Sequence, residues 1–269
     1  MLYTKININP KISYTYSVYR VYSGVMPTAT TPEPTEASGY DIVGGFNLIA
    51  PRYDMVNDAM SFGLHRLWRA RLCNSAKKLT PKGGSILDVA TGTGEVIRGL
   101  IQSRPDLRVT GVDPSEGMLS IARAKVSQMP PNQAAQIQLE LGDARQLDFP
   151  DSVFDTVTIS WGIRNVRPFE QGLREMRRVL KVGGTLLVLE SGQPENAFVR
   201  YGHQLYSRIL PYIGGGLSGF KPAYEYYTRT AESFPCGRRF VDALRGHGFQ
   251  KASYKGLMGG IVYLYTARK

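Results

Sequence analysis

Between residues 85 and 190, short apolar runs alternate with longer segments whose apolar residues recur at helical spacing. Residues 85–90 set Ile86, Leu87, Val89 and Ala90 around one carboxylate, Asp88, which predicts a short buried strand. A helix is expected from Val96 onward. Residues 108–113 predict a second strand, and 116–126 a helix bearing Met118, Leu119, Ile121 and Ala122. Ile137, Leu139 and Leu141 alternate through a third strand over 136–142, and 154–161 predicts a fourth. Pro168 suits the first turn of a helix with the stripe Phe169, Leu173, Met176, Val179 and Leu180. Gly183-Gly184 is expected to end that helix, before a fifth strand over 185–189. Strands alternating with helices predict an α/β fold with a doubly wound, mostly parallel sheet.

The flanks break this rhythm. Leu64, Leu67, Trp68 and Leu72 form a helical stripe after Ser61, a suitable N-cap, with His65, Arg66, Arg69 and Arg71 around it. Residues 26–45 are rich in Thr, Pro and Gly and predict a flexible lead-in. Residues 1–25 hold Lys5, Lys11 and Arg20 and no acidic residue. That pattern resembles a transit peptide weakly; a tail, or a protein starting at Met26, are the plainer readings. The expected division is therefore an extension over 1–45 and one domain over 46–269. Beyond Glu190, a helix over 199–210, Gly214-Gly215-Gly216 and the aromatics Phe220, Tyr224, Tyr226 and Tyr227 predict a helical cap insertion over about 191–235. A helix over 239–245 precedes strands over 252–257 and 261–267. Their link, Met258-Gly259-Gly260, suits an antiparallel hairpin and brings the sheet to seven strands.

Composition narrows this modestly. The chain has 269 residues and 42% hydrophobic residues, enough for a sizeable core. A net charge of +11 favours an anionic partner (nucleic acid, acidic lipid or acidic substrate), although a basic soluble enzyme would also carry it. Cys73 and Cys236 make no disulfide framework, and His65, His203 and His247 are too scattered for a metal motif, so no metal is expected. No run of 18 apolar residues predicts a membrane span.

The candidate chemistry lies at the strand ends. Gly92-Thr93-Gly94 follows the first strand and allows a tight turn and close approach of a ligand. A dinucleotide loop would carry a third glycine where this chain has Ile97, which counts against NAD or FAD. Asp113, ending the second strand, can accept both ribose hydroxyls of an adenosine. Asp143 can accept an adenine amine, and Ala144 can donate its backbone N–H. Ser160 points to the same crevice, and Asp88 can meet an amino-acid ammonium, directly or through water. No phosphate-binding lysine accompanies the loop. The set suits S-adenosyl-L-methionine.

Several separated stretches carry a more specific resemblance: Ile49-Ala50-Pro51-Arg52-Tyr53-Asp54 through Met60 to Trp68, Leu87 to Gly94, Ile159-Ser160-Trp161-Gly162-Ile163-Arg164-Asn165-Val166, and Arg178 to Glu190. From about Phe46 onward the chain resembles the menaquinone/ubiquinone biosynthesis C-methyltransferases, class I enzymes of Rossmann-like fold. The departures are Thr91 and Glu95 in the loop, Lys181-Val182 without a proline, and Ser191-Gly192-Gln193 after Glu190. The resemblance implies cofactor contacts at Thr93, Asp113, Asp143, Ala144 and Ser160, in agreement with the reading above. It also implies C-methylation of a prenylated quinol, demethylmenaquinol first and a ubiquinone-pathway benzoquinol as the alternative. Arg164 would stabilise a ring phenolate and Asn165 would bond the other ring oxygen, while Tyr53 and His65 are weaker candidates for proton handling.

A methyltransferase for another small molecule is a rival reading, and a cofactor-binding regulator is another. A nucleic-acid methyltransferase is disfavoured because strand four does not end in an Asn/Asp-Pro-Pro-aromatic run. Expected surroundings are the cytoplasm with a peripheral contact on anionic membrane, or a mitochondrial matrix or plastid in a eukaryote. A homo-oligomer is compatible with the sequence.

Overall fold

The computed structural model describes residues 41–269; the expected tail and most of the lead-in lie outside them. Three helices come first: α1 (Ile42–Ile49), α2 (Tyr53–Ser61) and α3 (Leu64–Leu79). The lead-in was expected to reach residue 45, but α1 begins earlier, because the Asp41 side chain caps it by accepting the Gly44 N–H. Ser61 closes α2 rather than opening α3. The turn between them is made by Phe62 and Gly63, both in the left-handed region.

Next come β1 (Ser85–Val89), α4 (Glu95–Ile101), β2 (Arg108–Asp113), α5 (Glu116–Ser127), the short α6 (Pro131–Ala134), β3 (Ile137–Leu141), β4 (Phe154–Ser160) and α7 (Phe169–Val179). β5 (Leu180–Ser191) follows without a break. The expected helix stop at Gly183-Gly184 instead lies within β5, where the β4–β5 register shifts between Phe154 and Thr156 and Gly183 takes φ +76°. α8 (Ala197–Ser218) and α9 (Lys221–Ser233) occupy the expected cap, and α10 (Arg238–Gly246), β6 (Gln250–Leu257) and β7 (Val262–Arg268) complete the fold.

The sheet order is β3-β2-β1-β4-β5-β7-β6, with β7 antiparallel to both of its neighbours and the remaining pairs parallel. Both faces are covered, so the central strands read as nearly unbroken apolar runs such as Leu186-Leu187-Val188-Leu189. One face packs Leu173, Met176 and Val179 of α7 and Phe240, Val241 and Leu244 of α10. The other packs Leu72 and Ala76 of α3 with Ile97, Leu100 and Ile101 of α4. Chain order reverses between β1 and β4, which opens a crevice at their C-terminal ends.

The glycine pattern inverts the dinucleotide arrangement. Ile97 sits where a third loop glycine would stand, and the sheet makes room for it. A Cβ on Gly111 of β2 would lie 2.4 Å from Ile97 Cδ1.

Candidate active site

Ala90, after β1, has φ +53°, and Trp161, after β4, has φ +52°. Left-handed backbone at a residue bearing a Cβ costs about 1–2 kcal/mol, so both strand ends bend sharply at a price the rest of the fold covers. The bends meet: a Cβ on Gly162 would lie 2.4 Å from Ala90 Cβ. Above them lies a cavity of about 540 Å³, walled by the strand ends, the N-terminal helices and the α8–α9 cap. Trp68 and Trp161 face each other in its wall with ring centroids 6.3 Å apart.

The N-terminal helices are tied down over the glycine loop. Thr93 Oγ1 donates to Asp54 Oδ1 of α2 at 2.8 Å, and Lys125 pairs with the other Asp54 oxygen. Lys125 also reaches Glu95 at 2.8 Å, which holds Arg98 at 2.6 Å and Arg69 at 3.2 Å. Asn47 Oδ1 accepts from Ser115 Oγ at 2.7 Å and from the Gly117 N–H at 2.9 Å, seating α1 on the start of α5. Tyr206 of α8 donates to the Met60 carbonyl, joining the two covers.

Of the expected site residues, Gly92, Thr93, Ser160, Tyr53, His65, Arg164 and Asn165 line the cavity, while Asp88, Gly94, Asp113, Asp143 and Ala144 stand outside its wall. Asp88 is turned inward: Thr91 donates to one oxygen at 2.7 Å and Thr158 to the other at 2.6 Å. Burial pushes its carboxyl up to about 6, against the pull of those hydroxyls. Thr91, not Asp88, reaches the cavity, so direct contact with an ammonium is not provided.

Asp113 is also pushed up to about 6 by burial. It accepts the Gly92 N–H at 2.8 Å and the Ser115 N–H at 2.9 Å, one on each oxygen. Each oxygen keeps a second lone-pair direction. Asp143 gives its carboxylate to Arg145, which holds its pKa down, so an adenine amine would share that group. Ala144 is buried beside it.

The polar pole of the cavity is a pair that sequence reasoning saw only in half. Arg164 is ion-paired with Glu190, which is 0% exposed, and its guanidinium also donates to the Trp161 carbonyl at 2.9 Å. The Arg164 Cζ lies 4.7 Å from the centre of the Tyr227 ring. Glu190 additionally accepts the Ser191 N–H at 2.8 Å. The available signal was a lone acid closing the apolar run of β5. Two neighbouring buried atoms lack partners, the Arg164 Nε and the Asn165 Oδ1. Arg164 and Asn165, both in the cavity wall, thus hold one cationic N–H donor and one carbonyl acceptor that the protein leaves unused.

Burial raises the Tyr53 phenol and lowers the His65 imidazole, so both are neutral near pH 7. His65 Nδ1 is fixed against Ser61 Oγ at 2.7 Å. His203, also on the wall, is lowered by burial too. Cys73 is buried with its thiol pushed up to about 12, which leaves it unreactive. Among the described residues no group of acidic, His or Cys side chains could hold a metal ion, and no helix is long and apolar enough to cross a membrane.

The described site fits S-adenosyl-L-methionine. A Cβ on Gly92 would meet no atom within 4 Å, so the loop leaves space where a ligand must come close. Asp113 stands at the neighbouring strand end with acceptor capacity to spare.

Comparison with known proteins agrees with this geometry. The family model of the ubiE/COQ5 methyltransferases matches residues 35–269. The chain is 40% identical over 227 residues to the ubiquinone/menaquinone biosynthesis C-methyltransferase UbiE of Geobacter sulfurreducens, covering 83% of this chain and 86% of that one. It is 37% identical to the demethylmenaquinone methyltransferase of Bacteroides fragilis, covering 83% and 90%. Among solved structures, a SAM-dependent methyltransferase from Thermotoga maritima superposes with a TM-score of 0.56 at 20% identity, covering 84% of this chain and 99% of that one.

Proposed function

Because the chain belongs to the ubiE/COQ5 methyltransferase family, we infer that its cavity receives a prenylated quinol and that the chain methylates a ring carbon of it. The chain is an S-adenosyl-L-methionine-dependent C-methyltransferase of quinone biosynthesis. The preferred acceptor is demethylmenaquinol, with a ubiquinone-pathway benzoquinol as the second reading. The observation that carries the acceptor class is the unused donor and acceptor, Arg164 Nε and Asn165 Oδ1, on two residues in the wall of an otherwise largely apolar cavity. A quinol ring carries two oxygens, and when one hydroxyl is ionised the ring needs a donor at one and can use an acceptor at the other.

Asp113, the Gly92–Thr93 backbone and Ser160 would hold the cofactor, with Asp143 shared between it and Arg145. When bound, S-adenosyl-L-methionine supplies an electrophilic methyl group on a sulfonium. The chain's own residues prepare the acceptor. Arg164 stabilises the phenolate that makes the adjacent ring carbon nucleophilic, and Glu190 and Tyr227 fix the guanidinium in place; once methylated, that carbon releases its own hydrogen as a proton and the ring becomes aromatic again. Arg164 stays protonated and does not take the hydroxyl proton. His65 is neutral, lines the cavity and has Nδ1 against Ser61 Oγ, and it is the candidate to accept the hydroxyl proton. The two tryptophans and the cap give the ring a largely apolar enclosure.

Quinone profiling tests the reading. Cells lacking the protein should accumulate a demethyl quinone, and its ring should show whether naphthoquinol or benzoquinol is the acceptor. An unchanged profile would overturn the assignment.

A further inference from the structure

The cap helix α8 has two faces with different neighbours. Its inner face, with Val199, His203, Tyr206 and Leu210, lines the cavity. Its outer face carries Phe198, Tyr201, Leu205, Ile209 and Tyr212, which are 86, 70, 53, 48 and 68% exposed. Their spacing of three and four residues makes one continuous apolar stripe along the helix. All 22 residues of α8 lack an acidic side chain, and Arg200 and Arg208 are exposed on it. Lys221, just beyond, lies with its Nζ 4.4 Å from the Tyr212 ring centre and pairs with Glu225 at 3.0 Å.

The cavity opens beside this stripe. Phe62, Phe198 and Met258 belong to its wall and yet are 79, 86 and 51% exposed, so they form a rim of large apolar side chains in contact with solvent. Phe62 contacts Tyr206 of α8, with ring centroids 6.2 Å apart, and the Met258–Gly260 turn abuts Val199.

We propose that the outer face of α8 docks on a bilayer containing anionic phospholipid, with the rim of Phe62, Phe198 and Met258 set at the headgroup boundary. An apolar stripe flanked by arginines, on a helix that itself carries no carboxylate, is the pattern of a helix lying in a membrane interface. Tyr201 and Tyr212 suit that depth, since each has an apolar ring and a polar tip. A water-soluble ligand needs no apolar rim, whereas one with a long apolar tail can pass from lipid across the rim without entering water. That passage rests on the prenylated-quinol reading; the docking itself rests on the surface alone.

Flotation of the full-length protein with vesicles tests it. Phosphatidylcholine mixed with phosphatidylglycerol should carry the protein up, and phosphatidylcholine alone should carry much less. Arg200→Gln with Arg208→Gln should weaken binding to the anionic vesicles about fivefold per arginine, the equivalent of ~1 kcal/mol each. Tyr201→Ser, Leu205→Ser and Ile209→Ser together should weaken it at least ~tenfold, with the thermal midpoint unchanged. None of these residues lines the cavity, so methylation of a short-tailed, water-soluble quinol should persist in both variants while turnover of a vesicle-embedded long-tailed quinol falls.

Failure of the parent protein to float with anionic vesicles overturns the proposal, as does equal flotation of the variants. Equilibrium ultracentrifugation showing a dimer that the triple variant abolishes, with vesicle binding unaffected, would assign the face to a second copy and also overturn it. Vesicle binding that behaves as expected, with no quinol methylated by the parent, would defeat the functional reading and leave the docking surface standing.

Discussion

Replacing Glu190 by Gln is the sharpest perturbation of the site that avoids every cofactor contact. Glu190 is wholly buried at the end of β5 and is the ion-pair partner of Arg164, whose side chain is only 6% exposed. Gln keeps the volume and can still accept one N–H, but it leaves the guanidinium charge uncompensated in the interior. Removing one member of a buried pair costs about 3–5 kcal/mol. At roughly 2–4 °C per kcal/mol for a domain of this size, the melting midpoint should fall by about 6–20 °C. The same change loosens the group that stabilises the phenolate, so kcat should fall ~100-fold while cofactor affinity stays within about twofold.

Thermal and urea unfolding, a calorimetric cofactor titration and methyl-transfer kinetics on the one variant read these quantities. Arg164→Met with Glu190→Leu gives the complementary test. That double variant should regain most of the lost stability, because an apolar pair of similar volume replaces a buried ion pair at little cost, and it should still methylate no quinol. The coupling from the double-mutant cycle should exceed ~1 kcal/mol. Stability of Glu190→Gln within ~0.5 kcal/mol of the parent, with unchanged kcat, would refute the assignment of this pair as the fixed electrostatic pole of the site.

Three further perturbations follow. The carboxyl of Asp88 is raised to about 6 in the fold from 3.8, so the stability it contributes is fully present below pH 3.8 and lost as pH rises through 6. Asp88→Asn should therefore be more stable than the parent at pH 7.5 by ~1–3 kcal/mol and show a smaller difference between pH 4.5 and 7.5 in urea unfolding; an equal difference in both proteins would contradict the burial argument. Gly162→Ala drives a Cβ to 2.4 Å from Ala90 Cβ, so thermal melts should show a loss of about 1–3 kcal/mol and titration a weaker cofactor complex. Asp54→Asn weakens the latch between α2 and the glycine loop; initial-rate kinetics should show the cofactor KM rise ~tenfold, a little over 1 kcal/mol of binding, with kcat within about twofold.

Much of this architecture was legible because it is local. β2 was read to the residue, and the hairpin of β6 and β7 followed from a three-residue link. Gly92, Asp113 and Asp143 stood out as candidates because strand ends gather ligands in any open α/β sheet; of the three, only Gly92 lies in the cavity wall. What local pattern misled about was decided by tertiary contact. Gly214-Gly215-Gly216 looked like a break, yet α8 runs through it, because Gly214 takes the Tyr224 ring (2.4 Å from where its Cβ would be) and Gly215 takes Lys221. Gly183-Gly184 looked like a helix stop and became an irregularity inside β5. Arg164, in the turn after β4, was visible in a signature, but its partner lies 26 residues away in β5, and no periodicity joins them. Asp54 was likewise visible as a residue, but its bonds to Thr93 and Lys125 exist only once α2 folds over the loop.

The central claim is transfer of a methyl group to a quinol ring carbon under the control of Arg164. The direct measurement supplies S-adenosyl-L-methionine carrying a 13C-labelled methyl and a prenylated demethylnaphthoquinol in detergent, kept reduced in one sample and oxidised in another. Carbon NMR of the product should place the label on the ring carbon beside a hydroxyl, in the reduced sample alone, and Arg164→Gln should abolish it while still binding the cofactor. Label on oxygen, or cofactor binding with no labelled quinol of either the naphtho or the benzo series, would contradict the account.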